Sequence, residues 1–116
     1  MLQRQRILDL KIDELSENLG ITVEILVSAI GVSARSVERW RTGDSFPQHD
    51  ARERIERLRA LKVQLYDTFA TADAVHAWMR TNNRYLSGLS PIEVLRAGRI
   101  DRIEAALEVL ASGIFI

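Results

Sequence analysis

The side chains best suited to reading a polyanion fall on one short stretch: Arg35, Ser36, Arg39 and Arg41. With Val37 and Trp40 facing a core, Ala34, Arg35, Ser36 and Arg39 occupy the outer, N-terminal part of a helix. A recognition helix presents those positions to the DNA major groove. Arg35 and Arg39 can each make a bidentate contact to guanine or neutralise a phosphate, while Arg41, Arg52 and Arg54 can hold the flanking backbone. From Arg35 to Lys62 eight basic residues stand against five acidic ones, an excess of three. Base reading therefore does not follow from charge, and the same spacing also serves as a packing motif with solvated arginines.

A second set of residues invites contact chemistry without catalysis. Arg80, Asn83, Arg84 and Tyr85 are assigned to the loop after an amphipathic helix. Mixed Arg, Asn and Tyr make a natural contact surface, or else they satisfy that helix's C-terminus. After Gly113 come Ile114, Phe115 and Ile116. Three apolar residues beyond a helix stop are expected to act as a short plug in a partner, each buried side chain contributing roughly 1.5–3 kcal/mol before ordering costs. The alternative is that they fold back onto the chain's own core or add a strand to a partner.

Catalytic groupings are missing. His49 and His76 lack any spacing that would set two ligands on one helical face. His49 adjoins a loop and is expected to be exposed; His76 lies beside an apolar face and is expected to be a satisfied surface or half-buried group. With no cysteine there is no thiolate nucleophile or zinc-thiolate site. There is no glycine-rich phosphate cradle and no Gly-x-Ser-x-Gly, and Glu53 and Glu56 are interleaved with arginines. The expectation is a protein that is not an enzyme and uses no metal or cofactor.

In the 116 residues, sixteen basic side chains balance sixteen acidic ones and 47% of positions are hydrophobic. That content builds one modest core or two very small ones. No global field draws the chain to nucleic acid or anionic lipid, so any polyanion site must be local. Apolar runs fall far short of the roughly 18 residues of a membrane span, and Met-Leu-Gln-Arg-Gln-Arg has no apolar signal region. A cytoplasmic protein without membrane contact is expected.

The periodicity is helical throughout, which predicts an all-α fold. A first helix spans about Gln5 to Asn18, with Ile7, Leu8, Ile12, Leu15 and Leu19 on one face and Gly20 as its stop. Thr22 caps a second through Ile30. Gly31-Val32-Ser33 turns the chain into a third, Ala34 to Arg41, closed by Gly43. A long helix, Asp50 to Phe69, turns Ile55, Leu58, Leu61, Leu65 and Phe69 inward and Arg52, Glu53, Glu56, Arg59 and Lys62 outward. Thr71 caps a helix to Thr81 in which Val75, Trp78 and Met79 share a face, and Trp78, like Trp40, is assigned to the core. Ser90-Pro91-Ile92-Glu93 supplies a capping oxygen, an N1 proline and an N3 carboxylate. Gly98 ends that helix, and Ile100, Ile103, Leu107 and Leu110 line the last one.

The order of these parts is distinctive. Gly-Val-Ser in the turn and Val-Glu-Arg-Trp in the third helix resemble the helix-turn-helix of Xre/Cro-type repressors, though Val27 stands where such families often carry a small residue. Downstream follow Trp-Met-x-x-x-Asn-x-x-Leu, Ser-Pro-Ile-Glu-Val-Leu, Gly-x-x-x-x-Ile and Gly-Ile-Phe-Ile. The whole resembles the Xre/MbcA/ParS-type antitoxins. That resemblance implies a helix-turn-helix DNA-binding domain at 1–65, joined by the long helix to a small helical toxin-binding domain at 66–116. It implies an antitoxin that blocks a cognate RES-domain toxin, a class that resembles ADP-ribosyltransferases and consumes NAD. Repression of the shared operon through operator DNA is implied too, with a homodimer or a larger toxin–antitoxin hetero-oligomer. A competing reading is a stand-alone regulator whose C-terminal half only dimerises. A third is a pure interaction protein.

Overall fold

Helix ends fall where capping chemistry puts them. In the computed structural model, which describes residues 12–113, the first helix (α1) occupies residues 12–19 of that range. It is followed by α2 (Val23–Ile30), α3 (Ala34–Thr42), α4 (His49–Phe69), α5 (Ala72–Arg80), a 3-10 turn (Arg84–Leu86), α6 (Pro91–Arg96) and α7 (Ile100–Ala111). No strand occurs among the described residues. The fold is all-α, as the periodicity predicts.

The Thr22 hydroxyl accepts from the Ile25 amide, Ser33 from Ser36, and Thr71 from Ala74, all at 3.1–3.2 Å. Each satisfies one of the amide donors that a helix start leaves unpaired. Gly31 and Gly43 close α2 and α3 at φ 82° and 84°, a left-handed conformation that glycine adopts without a Cβ penalty. The long helix starts one residue early, at His49, and without a side-chain cap from Gln48. The apolar positions Ile7 and Leu8 lie outside the described residues.

One core runs from end to end. The inner face of α4 buries Ala51, Ile55, Leu58, Leu61 and Leu65, and α5 and α7 pack across it. α2 sits against α3, α4 and α6, and buries five of its eight residues: Ile25, Leu26, Val27, Ala29 and Ile30. Val37 and Trp40 of α3 join the same cluster as Leu95 of α6 and Leu107 of α7.

Several arginines turn out to be structural. Arg54, read above as a flanking phosphate contact, donates from Nη1 to the Ala29 and Gly98 carbonyls at 3.3 Å each. It ties α2, α4 and the end of α6 together. Arg57 of α4 pairs with Glu104 of α7, its Nε 3.3 Å from Oε2. On the solvated face of α4, Arg59 meets Glu56 at 2.9 Å.

α1 docks by its C-terminal end. The Asn18 carbonyl accepts from the Tyr66 hydroxyl at 2.8 Å and faces the His76 Nε2 at 3.2 Å. His76 is thus half-buried and satisfied, as its surroundings in sequence suggest. Gly20, at φ 69°, lies so close to this imidazole that an added Cβ would come within 2.6 Å of His76 Cδ2, whereas at Gly31 the same addition meets nothing within 4 Å. Gly31→Ala is therefore expected to cost the left-handed strain alone, about 1–2 kcal/mol. Gly20→Ala should cost that strain and the steric clash. In thermal melts G20A should fall further than G31A, and in a His76→Ala background the two substitutions should cost alike; equal melting shifts in the parent would show that the close approach is unimportant.

Candidate nucleic-acid and partner interfaces

The outer surface of α3 gathers the predicted polyanion readers unevenly. Arg35 and Arg39 are exposed, one helical turn apart on the same side. Ser36 is half-buried and turned to the helix start, its hydroxyl 3.1 Å from that of Ser33. Arg41 is drawn inward: it pairs with Asp13 of α1, reaches Glu38 at 3.5 Å, and leaves only 26% of its side chain exposed. Val37 and Trp40 are buried behind them. Arg52 is exposed on α4, whereas Arg54 is committed to the two carbonyls described above.

The second cluster is built differently from a plain loop. Arg80 is the last residue of α5, and Arg84 and Tyr85 lie in the 3-10 turn. This corrects the placement of all three in an irregular loop. Asn83 organises the turn: its Oδ1 accepts from the Tyr85 amide at 2.8 Å, and its own amide donates to the Leu89 carbonyl at 2.9 Å. Its carbonyl accepts from the Leu86 and Gly88 amides at 3.0 Å each. Ser87 takes a positive φ of 59°, and its hydroxyl accepts from Arg102 of α7 at 3.2 Å. A turn bonded on this many sides has little freedom left to lose.

Between this turn and α7 opens a groove of about 410 Å³, lined by Trp78, Asn82, Asn83, Arg84, Tyr85, Ala106 and Leu110. Trp78 is half-buried, one side against Phe69 with ring centroids 5.7 Å apart and the other toward the groove, so its assignment to the core is only half correct. Sequence reading missed Trp78 and Leu110 as half-exposed groove residues, with the buried Ala106 between them. The available signal was Leu110, at the far end of the α7 stripe, one turn beyond the fully buried Leu107. Ile114, Phe115 and Ile116 lie outside the described residues.

Polar pairs hold the helix starts that frame this region. The Glu93 carboxylate accepts from the Ser90 amide and hydroxyl at 3.0 Å each, and the Ser90 oxygen accepts from the Glu93 amide at 3.3 Å. This capping box places Glu93 below the usual carboxylate range, first through the Ser90 amide and then through its hydroxyl. At α7, Arg99 grips Asp101 with Nε 3.0 Å from Oδ1 and Nη2 2.9 Å from Oδ2, holding that carboxyl at about 2. Among the described residues no group of three His, Asp or Glu side chains could hold a metal ion, and no helix is long and apolar enough to cross a membrane.

Comparison with known proteins matches this anatomy to a family. Residues 64–113 match the antitoxin Xre/MbcA/ParS C-terminal toxin-binding domain. Over 100 residues the chain is 31% identical to the mycobacterial cidal antitoxin MbcA of Mycobacterium tuberculosis, covering 86% of this chain and 88% of that protein. A probable mycobacterial cidal antitoxin of the same organism is 33% identical over 97 residues, or 84% and 82% of the two chains. In the crystal structure of the M. tuberculosis MbcT–MbcA toxin–antitoxin complex, one chain superposes with a TM-score of 0.64 at 29% identity. The match covers 95% of this chain and 98% of that one. The chain belongs to the Xre/MbcA/ParS antitoxin family.

The Arg99–Asp101 pair has a testable pH signature. Because the folded carboxyl lies below its ordinary value, the pair's contribution to stability is complete above about pH 4 and is lost as pH falls through about 2. Carboxyl-resolved NMR titration should find Asp101 ionised down to about pH 2. In Arg99→Ala it should titrate near 3.8, the ordinary aspartate value. An unchanged midpoint in that variant would show that the guanidinium is not the cause.

Proposed function

We propose that this protein neutralises a cognate RES-domain, NAD-consuming toxin with its C-terminal half, 66–116, and represses the shared operon with α2 and α3 of its N-terminal half, 1–65. The observation that carries the reading is similarity along nearly the whole length of both chains to an antitoxin solved together with its toxin. The toxin-binding match over 64–113 supports assigning that role to the second half. Within it, Arg80, Asn83, Arg84 and Tyr85 form the contact surface. Ile114, Phe115 and Ile116 plug the toxin's active site.

The exposure of Arg35 and Arg39 supports reading α3 as the recognition helix, with Arg35 and Arg39 reading bases and Ser36 and Arg41 in support. Because Arg41 is engaged with Asp13 and Glu38, its part is to hold α3 against α1, which keeps Arg35 and Arg39 in place. A homodimer would set two such helices on a palindromic operator, with toxin completing a hetero-oligomer.

Two experiments test the halves separately. Arg39→Ala should cost about 1–3 kcal/mol in operator affinity and relax specificity at one base step. Loss of a phosphate contact would instead weaken all sequences alike and lower the salt slope by about 0.9. Operator affinity unchanged in the Arg35→Ala, Arg39→Ala double variant would reduce α3 to scaffold. For the toxin half, co-expression with a chain lacking 114–116 should restore growth arrest while the chain's melting temperature shifts by no more than the few degrees that about 1 kcal/mol produces. Full neutralisation by that truncated chain would refute the plug.

A further inference from the structure

The groove beside the 3-10 turn combines three properties seldom found together by chance. Its floor and walls are apolar: the half-buried Trp78, the buried Ala106 of α7, Leu110, and the ring of Tyr85, which is 43% exposed. Its rim is polar, with the amides of Asn82 and Asn83 and the Arg84 guanidinium. Its mobile-looking wall is in fact fixed, because Asn83 bonds the turn through its side chain and both backbone groups, and Arg102 secures Ser87 from α7. An apolar centre with an amide and guanidinium rim is the anatomy of an energetic anchor point in a protein interface. A wall ordered before binding spares the complex that ordering cost.

Every lining residue lies inside 64–113, the span that matches the family's toxin-binding domain. One of two grooves between α1 and α4 differs on both counts. It is lined by Glu14, Leu15, Asn18, Arg59 and Lys62, so its rim is charged and it lies outside that span.

We infer that the groove walled by Tyr85 and floored by Trp78, Ala106 and Leu110 is the docking slot for one large apolar side chain of the toxin, with Asn83 as the positioning residue that holds Tyr85 ready for it. The inference rests on the antitoxin reading and deepens it. Asn83 changes role, from a contact to the organiser of the contact surface. The occupant is apolar because Trp78, Ala106 and Leu110 offer it an apolar lining.

Calorimetric titration of purified full-length protein with its co-encoded toxin separates the possibilities. Tyr85→Ala should weaken binding roughly tenfold or more, whereas Tyr85→Phe, which keeps the ring, should bind within about twofold of the parent. Tyr85 is exposed, so neither change threatens the fold, and melting curves verify it. Asn83→Ala should also weaken binding, and Asn83→Asp, which retains the accepting oxygen, should restore it. Parental affinity in Tyr85→Ala overturns the slot. Equal losses in the Phe and Ala variants would mean that the hydroxyl, not the ring, makes the contact. Failure of Asn83→Asp to recover would make the Asn83 amide a direct contact. Tighter binding by a chain lacking 114–116 would assign the groove to the chain's own tail, and a change of oligomeric mass in free Tyr85→Ala would assign it to a second copy. A parent that binds no toxin at all would overturn the antitoxin reading itself, an outcome distinct from any of these.

Discussion

The packing of α2 against α6 is the constraint on which the rest of the structure depends. α2 has only eight residues, and five of them are buried because α3, α4 and α6 cover it from different sides. α6 is shorter still, and six residues do not make a stable helix alone. Each therefore holds its shape by leaning on the other. The Arg54 guanidinium fastens the pair, one nitrogen shared between the carbonyls of Ala29 and Gly98. Both carbonyls belong to helix C-terminal ends, where a positive charge is electrostatically favoured and where oxygens would otherwise lack donors. Gly98 brings the chain near the Ser28 carbonyl, which a Cβ at Gly98 would meet at 3.7 Å.

From this contact the two surfaces inherit a fixed relation. α3, with Arg35 and Arg39 outward, is carried on α2 through the Gly31–Ser33 turn. The turn at Asn83 is carried on α5, α6 and α7, which close on the same cluster of buried side chains. α4 spans both regions, tied to α7 by Arg57–Glu104 and to the end of α1 by the Tyr66 hydroxyl. A close-packed interior of this kind transmits strain rather than absorbing it. A division near residue 65 would therefore be one of labour, because the core itself is continuous across it.

What could be read from sequence was local. Thr22, Thr71 and Ser90 reveal helix starts because a cap acts across only three residues, and glycine stops act across three to five. The α4 stripe was legible for the same reason, since a helical period repeats within view. The interactions that fix one helix on another were not legible. Arg54 reaches carbonyls 25 and 44 residues away, and Arg57 a carboxylate 47 away; as types they look the same as Arg59 beside them, whose partner Glu56 lies on its own helix. The 3-10 turn escaped because three residues establish no period, and its order comes from bonds to Asn83 and from Arg102 of α7 rather than from a repeat.

Trp78 shows why periodicity locates a candidate site only in part. Its position beside Val75 and Met79 marks an apolar face, and both of those neighbours are completely buried. Trp78 sits at the edge of that face, with one side of the ring held against Phe69 and the other lining the groove. An amphipathic pattern assigns a residue to inside or outside, yet a large aromatic can occupy both. The buried side immobilises the ring when the chain folds, so the exposed side is available to a partner with its conformational entropy already lost. A side chain used in this way must be read as core from sequence, because the folding requirement alone explains its type; only the shape of the neighbouring turn and helix exposes its second use.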